Sequence, residues 1–137
     1  PDILAPLVAS YNVVSEDLKS YDLLQVFAVP GVEGARAAMV LHGESHPDDG
    51  GDAPNRLHVK FRAVQVVPER GLGADVDAVL TSAGLGAALR KRLPLPAAAG
   101  GAGHQIDIEH ISGALRVHRG GSGSAYVLRR APVPFDL

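Results

Sequence analysis

Residues 104 to 130 read HQIDIEHISGALRVHRGGSGSAYVLRR, and this stretch decides the fold. Polar and apolar residues alternate from His104 to His110 and again from Leu115 to Arg119, and a second apolar run follows from Ala125 to Leu128. Between those last two runs lies Gly120-Gly121-Ser122-Gly123-Ser124, whose glycines let a backbone reverse through positive φ without a Cβ clash. Alternation on both sides of such a turn is a β-hairpin signature. The spacing therefore predicts paired strands, with Gly120, Gly121 and Gly123 as structural turn residues.

Working back from the hairpin, the same period of two recurs. In Arg56 to Ala63, the residues Leu57, Val59, Phe61 and Ala63 fall on one face, and Arg56, His58, Lys60 and Arg62 on the other. Val64 to Val67 stays apolar with the phase shifted, which predicts a β-bulge or a strand running under cover. Leu23 to Val29 is a compact apolar strand closed by Pro30-Gly31; Gly34 to His42 reads as its partner, although its alanines leave a helix open. Leu7 to Val14 reads as an extended arm or short strand. Ser15-Glu16-Asp17 offers N-capping side chains for a helical turn. Gly43 to Pro54 is polar and breaker-rich and is expected to be an exposed loop.

One segment has a different period. From Ala74 to Leu93 the apolar residues recur at threes and fours, with Arg90, Lys91 and Arg92 near the end, where cations favour the negative pole of a helix. That predicts a helix, or two short ones, since Gly84 and Gly86 weaken the middle. Pro94 and Pro96 stop it, Ala97 to Gly103 forms a link, and Pro132 to Leu137 is expected to lie across the surface.

The run LRVHRGGSGSAYVL, residues 115 to 128, resembles the C-terminal signature of the plastid lipid-associated proteins, the fibrillin or PAP family. Leu115, Arg116, Val117, Arg119, Gly120, Gly123, Val127 and Leu128 take the matching places, with Tyr126 where the family usually has Phe. Asn55 to Arg62, NRLHVKFR, is similar to a second family strand, Lys91 to Pro96, KRLPLP, to its LPIP-like segment, and Leu23 to Val29 occupies the place of another strand. The similarity spans roughly residues 20 to 130. Ser112 and Ala114 stand where the family has two aspartates, and His110 where it has tyrosine, so no role of those residues is carried over. The family's N-terminal helix and tryptophan-bearing first strand have no counterpart, and the chain has no Trp. The resemblance implies a mainly β, antiparallel, lipocalin-like barrel, complete or incomplete, with one crossover helix. It also implies a non-catalytic protein at thylakoids or plastoglobules of the chloroplast that binds a lipid, quinone or carotenoid.

Composition narrows the classes. With 137 residues the chain fits one domain that buries roughly two thirds of its unfolded surface. The absence of Cys removes disulfides, thiolate metal sites and a Cys nucleophile. A net charge of -2 gives no global attraction to nucleic acid. No apolar run is long enough to span a bilayer, and the start at Pro1 reads as mature or trimmed rather than as a signal or transit peptide.

Candidate chemical groups are few. Of six histidines, His42 with His46 and His104 with His110 suggest metal ligands, yet His104 and His110 on one strand lie about 20 Å apart. Asp107 and Glu109 share a strand face at roughly 7 Å, a glycosidase-like separation, but few aromatics accompany them and pairing with arginines across the sheet is the simpler role. Asp48, Asp49 and Asp52 lack the order of a calcium loop. Ser122 and Ser124 sit in no nucleophile elbow, and the GGSG turn leads into a strand rather than the helix a phosphate loop needs. What remains is a candidate interaction face of cations, Arg56, His58, Lys60 and Arg62 with Arg116, His118, Arg129 and Arg130. It suits a peripheral membrane surface or an acidic protein, or is simply a solvated sheet face. Two functions follow from the sequence: a lipid-associated binding protein, or an accessory subunit of a larger complex that keeps the fold without a ligand. A barrel that does not close by itself would expose strand edges.

Overall fold

A computed structural model describes residues 7–51, 53–71, 76–96 and 104–137. Its strands are β1 (Leu7–Val14), β2 (Ser20–Ala28), β3 (Arg36–Pro47), β4 (Arg56–Pro68), β5 (Leu93–Pro94), β6 (His104–Ile111), β7 (Leu115–Gly120) and β8 (Ala125–Arg129), with helix α1 at Val76–Ser82. They form one antiparallel sheet in the order β1-β2-β3-β4-β6-β7-β8, and β5 pairs with β4 at Ala63 and Val64. The sheet curls into a half-barrel, an incomplete version of the lipocalin-like barrel. Among the described residues β1 and β8 each have one neighbour, so the two end strands leave the curl open between them.

Register assigns every side chain to one of two faces. Tyr21, Gly43 and Phe61 stand opposite one another across β2, β3 and β4, as do Leu23, Leu41 and Val64. These residues look into the curl. The outer face carries Leu24, Val26, Ala38, Val40 and Val67, a buried cluster sealed by Phe135 of the C-terminal segment. Phe135 meets Tyr11 of β1 edge-on with ring centroids 6.5 Å apart. The segment is tied down by the Arg70 N–H donating to the Pro134 carbonyl at 2.8 Å and by an Arg70–Asp136 ion pair at 2.9 Å. At one end of the inner face α1 lowers Leu80, fully buried, onto Ala37 and Val66. A Leu buried this completely contributes about 2 kcal/mol.

Several expectations change. Of the single helix or two short ones expected over 74 to 93, the structure has the second form, a seven-residue α1 and a 3-10 helix at Ala87–Arg90, followed by β5; the start expected at Ala74 and Asp75 lies outside the described residues. Gly84 is the reason. At φ 81 it ends the helix, with its N–H bonding the Thr81 carbonyl at 3.0 Å and the Leu85 N–H bonding the Leu80 carbonyl at 2.8 Å. This is a Schellman closure, and Leu85 packs against the Leu80 cluster beside it. Ser15 and Asp17 do not start a helix. The Ser15 hydroxyl donates to the Asp17 carboxylate at 2.6 Å, which in turn accepts the Lys19 N–H at 3.0 Å, and Leu18 takes φ 60. Short polar side chains here close a hairpin turn instead of capping a helix.

The loop expected from Gly43 begins later, because β3 runs on to Pro47 paired with β4, and with β2 as far as Glu44. Polar composition hid this extension: Ser45 is buried, donating its hydroxyl to the Leu18 carbonyl at 2.6 Å. The bulge expected near Val64 falls at Arg62, where the register steps from Ala63 opposite His42 to Phe61 opposite Gly43. The link expected over residues 97 to 103 lies outside the described residues.

Candidate functional site: a trough on the inner face

The curl encloses an open trough of about 1260 Å³ that draws on every long strand from β1 to β8. Leu23, Leu41, Val59, Phe61, Ile106 and Leu128 supply its apolar surface, and no Asp or Glu is among its lining residues. Gly43 makes the curvature possible at the centre. A Cβ there would stand 2.5 Å from the Tyr21 carbonyl oxygen and 3.1 and 3.2 Å from the Val59 and Phe61 side chains. Only the hydrogen of glycine fits.

Polar side chains line the trough as well, among them Asn12, Gln25, Lys60 and Gln105, and two of the polar groups are buried. Tyr21 is buried and donates its hydroxyl to Asn12 Oδ1 at 2.6 Å, joining β2 to β1 at the open edge. Burial pushes its phenol up to about 12, against a smaller opposing effect of the Arg116 charge. His118 on β7 is 3% exposed, and its Nε2 has no hydrogen-bond partner within the described residues. Burial first, and the Arg116 charge second, bring its imidazole down to about 4, so the ring is neutral at pH 7. Arg116 lies two residues before His118 on the same face and opposite Leu128. Its field reaches both His118 on β7 and Tyr21 on β2, strands that are far apart in the sheet order and come near one another across the curl. Phe61 and His104 stack obliquely, ring centroids 5.2 Å apart.

The eight cationic positions do not form one face. Register puts Arg116 and His118 on the inner side with Ile108 and Leu128, while Arg56 stands opposite Asp107 and Asp107 opposite Arg119 on the outer side. Arg129 pairs in register with Leu115, also on the outer side, and Arg130 follows the end of β8. Three members of the β4 stripe hold acids: Arg56 with Asp107 at 2.7 Å, His58 with Asp48 at 2.8 Å, and Arg62 with Glu44 at 3.0 Å. Lys60, exposed between them, is the member of the stripe with no such partner among the described residues. Glu109 pairs with Arg119 at 2.6 Å, so both acids of the glycosidase-like pair are tied to arginines.

The other candidates resolve locally. His42 is buried on the outer face, with Nε2 at 2.8 Å from Gln65 Oε1 and Nδ1 at 3.4 Å from Asp22. His46 stacks on His58 with ring centroids 5.3 Å apart. Among the described residues no three His, Asp or Glu side chains converge as metal ligands; Asp52 of the acidic loop lies outside them. In the hairpin turn Gly123 has φ 88, and its N–H bonds the Gly120 carbonyl at 3.0 Å. Gly120 and Gly121 do not have positive φ, and a Cβ at Gly120 would meet nothing closer than the Tyr126 ring at 3.6 Å. Of the three turn glycines, Gly123 alone is demanded by backbone conformation.

Sequence reasoning missed Tyr21 and Asn12, and it placed His118 on a surface. A single strand has two faces, and nothing local says which one the sheet will curl around. The geometry defines a β half-barrel whose inner face is an open trough lined by both apolar and polar side chains. Comparison with protein-family models, with curated proteins and with solved structures finds no match.

Proposed function

We propose that this chain is a non-catalytic binding protein that holds a small hydrophobic molecule in the trough of the half-barrel. The observation that carries the reading is an open trough of about 1260 Å³ with Leu23, Leu41, Val59, Phe61, Ile106 and Leu128 on its inner face, above the roughly 300 to 1,000 Å³ of an ordinary ligand pocket and open between β1 and β8. Small barrels of this kind hold single apolar ligands. The resemblance of residues 115 to 128 to the plastid lipid-associated proteins supports a lipid, quinone or carotenoid as the ligand and a thylakoid or plastoglobule surface as the place. No helix of the described residues is long and apolar enough to cross a membrane. The test is titration of the purified chain with a fluorescent apolar probe and with a short-chain quinone. Saturable binding at one site, weakened by Leu41→Glu or Ile106→Glu in the trough, is the expected outcome; no saturable binding by the folded chain sinks the reading.

A second reading is an accessory subunit of a larger protein complex. Its specific support is the pair of one-sided end strands, with Tyr126 at 55% and Val127 at 71% exposure on β8. Exposed apolar edges are surfaces that proteins cover with another strand. Size measurement of the isolated chain separates the two readings, since a stable monomer with a ligand favours the first.

A further inference from the structure

The inner face holds one arginine, Arg116, and one buried nitrogen, on His118, that the fold leaves unused; His118 lines the trough, as does Lys60, and register sets Arg116 beside His118 on the same face. Six of the other arginines are matched, Arg36 to Glu69, Arg56 to Asp107, Arg62 to Glu44, Arg70 to Asp136, Arg90 to Asp77 and Arg119 to Glu109, while Arg92, Arg129 and Arg130 are exposed to solvent. Arg116 is half-buried, faces inward, and makes no ion pair or side-chain hydrogen bond among the described residues. Two residues along the same strand, His118 Nε2 is buried without a partner. Leaving a buried polar atom unmade costs about 1 to 3 kcal/mol, and a partly desolvated guanidinium without an anion adds to that. Such a cost persists only where something else depends on it or where a ligand supplies the missing partner.

We propose that the trough binds a single-chain amphiphile by its carboxylate, which pairs with the Arg116 guanidinium and accepts a hydrogen bond from His118 Nε2, while the hydrocarbon chain lies along Leu41, Phe61 and Ile106. The proposal rests on the reading of the trough as a ligand site and names the head group it selects. Three features agree on an acid. The two unpartnered groups sit on one face of β7 at alternate positions, about 7 Å apart along the strand, a span that one carboxylate bridges with a bifurcated approach from two long side chains. No Asp or Glu lines the trough, so nothing in it competes for Arg116 or repels the ligand's charge. His118 is held neutral by burial, and in its Nε2–H tautomer it donates to an anion without adding a second charge. Tyr21 does not take part, because its hydroxyl is already committed to Asn12.

The experiment compares palmitate with hexadecanol, equal in chain length and differing in the head group, by calorimetry or displacement of an apolar fluorescent probe. The full chain and the variants Arg116→Gln, Arg116→Lys and His118→Leu are used. Palmitate should bind about 10- to 100-fold more tightly than hexadecanol, the effect of one charge-assisted contact. Arg116→Gln should erase that preference, and Arg116→Lys should keep part of it. His118→Leu should raise the melting temperature, because it removes a buried unpaired atom, and weaken palmitate a few-fold, ~3 or more. Equal affinity for acid and alcohol, or an acid preference that survives Arg116→Gln, overturns the head-group proposal and leaves the trough standing. Failure of both ligands to bind the folded chain overturns the proposal together with the functional reading beneath it.

Discussion

Arg56 on β4 holds Asp107 on β6 with two hydrogen bonds, Nε to Oδ1 at 2.7 Å and the terminal nitrogen to Oδ2 at 3.1 Å. The pair sits at one end of a seam of only four register pairs, Arg56 to Asp107 through Val59 to His104. Beyond the seam β4 turns to other partners, and β5 takes Ala63 and Val64. The fork thus fastens the β6–β8 meander to the rest of the sheet at its shortest junction. Its carboxylate is held below the ordinary Asp range, first by the hydrogen bonds from Arg56 and against some desolvation.

Replacing Arg56 by Ala should loosen β6 to β8 more than β1 to β3. Amide exchange in β6 should rise about threefold to tenfold with little change in β2. Because the folded pKa of Asp107 lies below its unfolded 3.8, the stabilisation is complete above that value and is lost as pH falls through the folded pKa. Uniform exchange in the variant would mean that the seam is held by its backbone alone.

His118 predicts a loss of stability in mild acid. Its folded pKa, about 4, lies below the unfolded 6.5, so the unfolded chain takes up the proton first. Stability should be level above pH 6.5 and fall by about 2 kcal/mol as pH drops towards 4, the full shift being reduced by solvent in the trough. The polar groups facing the ring are Arg116 along β7 and Tyr126 across to β8. Denaturant midpoints across this range for the wild type and His118→Leu check the point. A slope that persists unchanged in the variant assigns it to other groups.

Gly43→Ala should destabilise by about 2 to 4 kcal/mol, since the new Cβ lands 2.5 Å from the Tyr21 carbonyl oxygen and only backbone movement relieves it. Denaturant unfolding measures this directly. A change under ~0.5 kcal/mol would show that β2 and β3 slide apart easily, contrary to the close approach described above.

The two hairpin glycines should part company. Gly123→Val forces a β-branched residue to φ 88 and should cost about 1 to 3 kcal/mol, whereas Gly120→Ala should lie within ~0.5 kcal/mol of wild type. Equal costs at both sites would refute the turn conformation.

The strands were legible wherever alternation was strong. Arg56 to Ala63 and the 104 to 130 meander take the form that their period demands, and the phase slip after Ala63 marked a real bulge two residues away. Illegible were the places where tertiary contacts override composition. Gly43 to Pro47 looks like loop and is strand because β4 pairs with all of it, and β2 with Gly43 and Glu44. Which of the two helical forms the 74 to 93 segment takes is set by a left-handed Gly84. The site was harder still, because Tyr21, Arg116 and His118 lie on strands that only the curl of the whole sheet brings together. A strand alone shows that Arg116 and His118 share a side, not that this side is the inside.

The outer cluster around Leu24 and Val40 is complete only when Phe135 packs against it and Tyr11 meets that ring. Each hairpin of the meander forms from neighbours in the chain, yet this seal joins positions near opposite ends of the sequence. During synthesis the emerging sheet therefore carries a bare apolar patch until residue 135 has left the ribosome. Emergence of the segment carrying Phe135, not assembly of the strands, is the step that makes the fold safe from aggregation, and a stalled or truncated product ending at β8 is the form most in need of a chaperone.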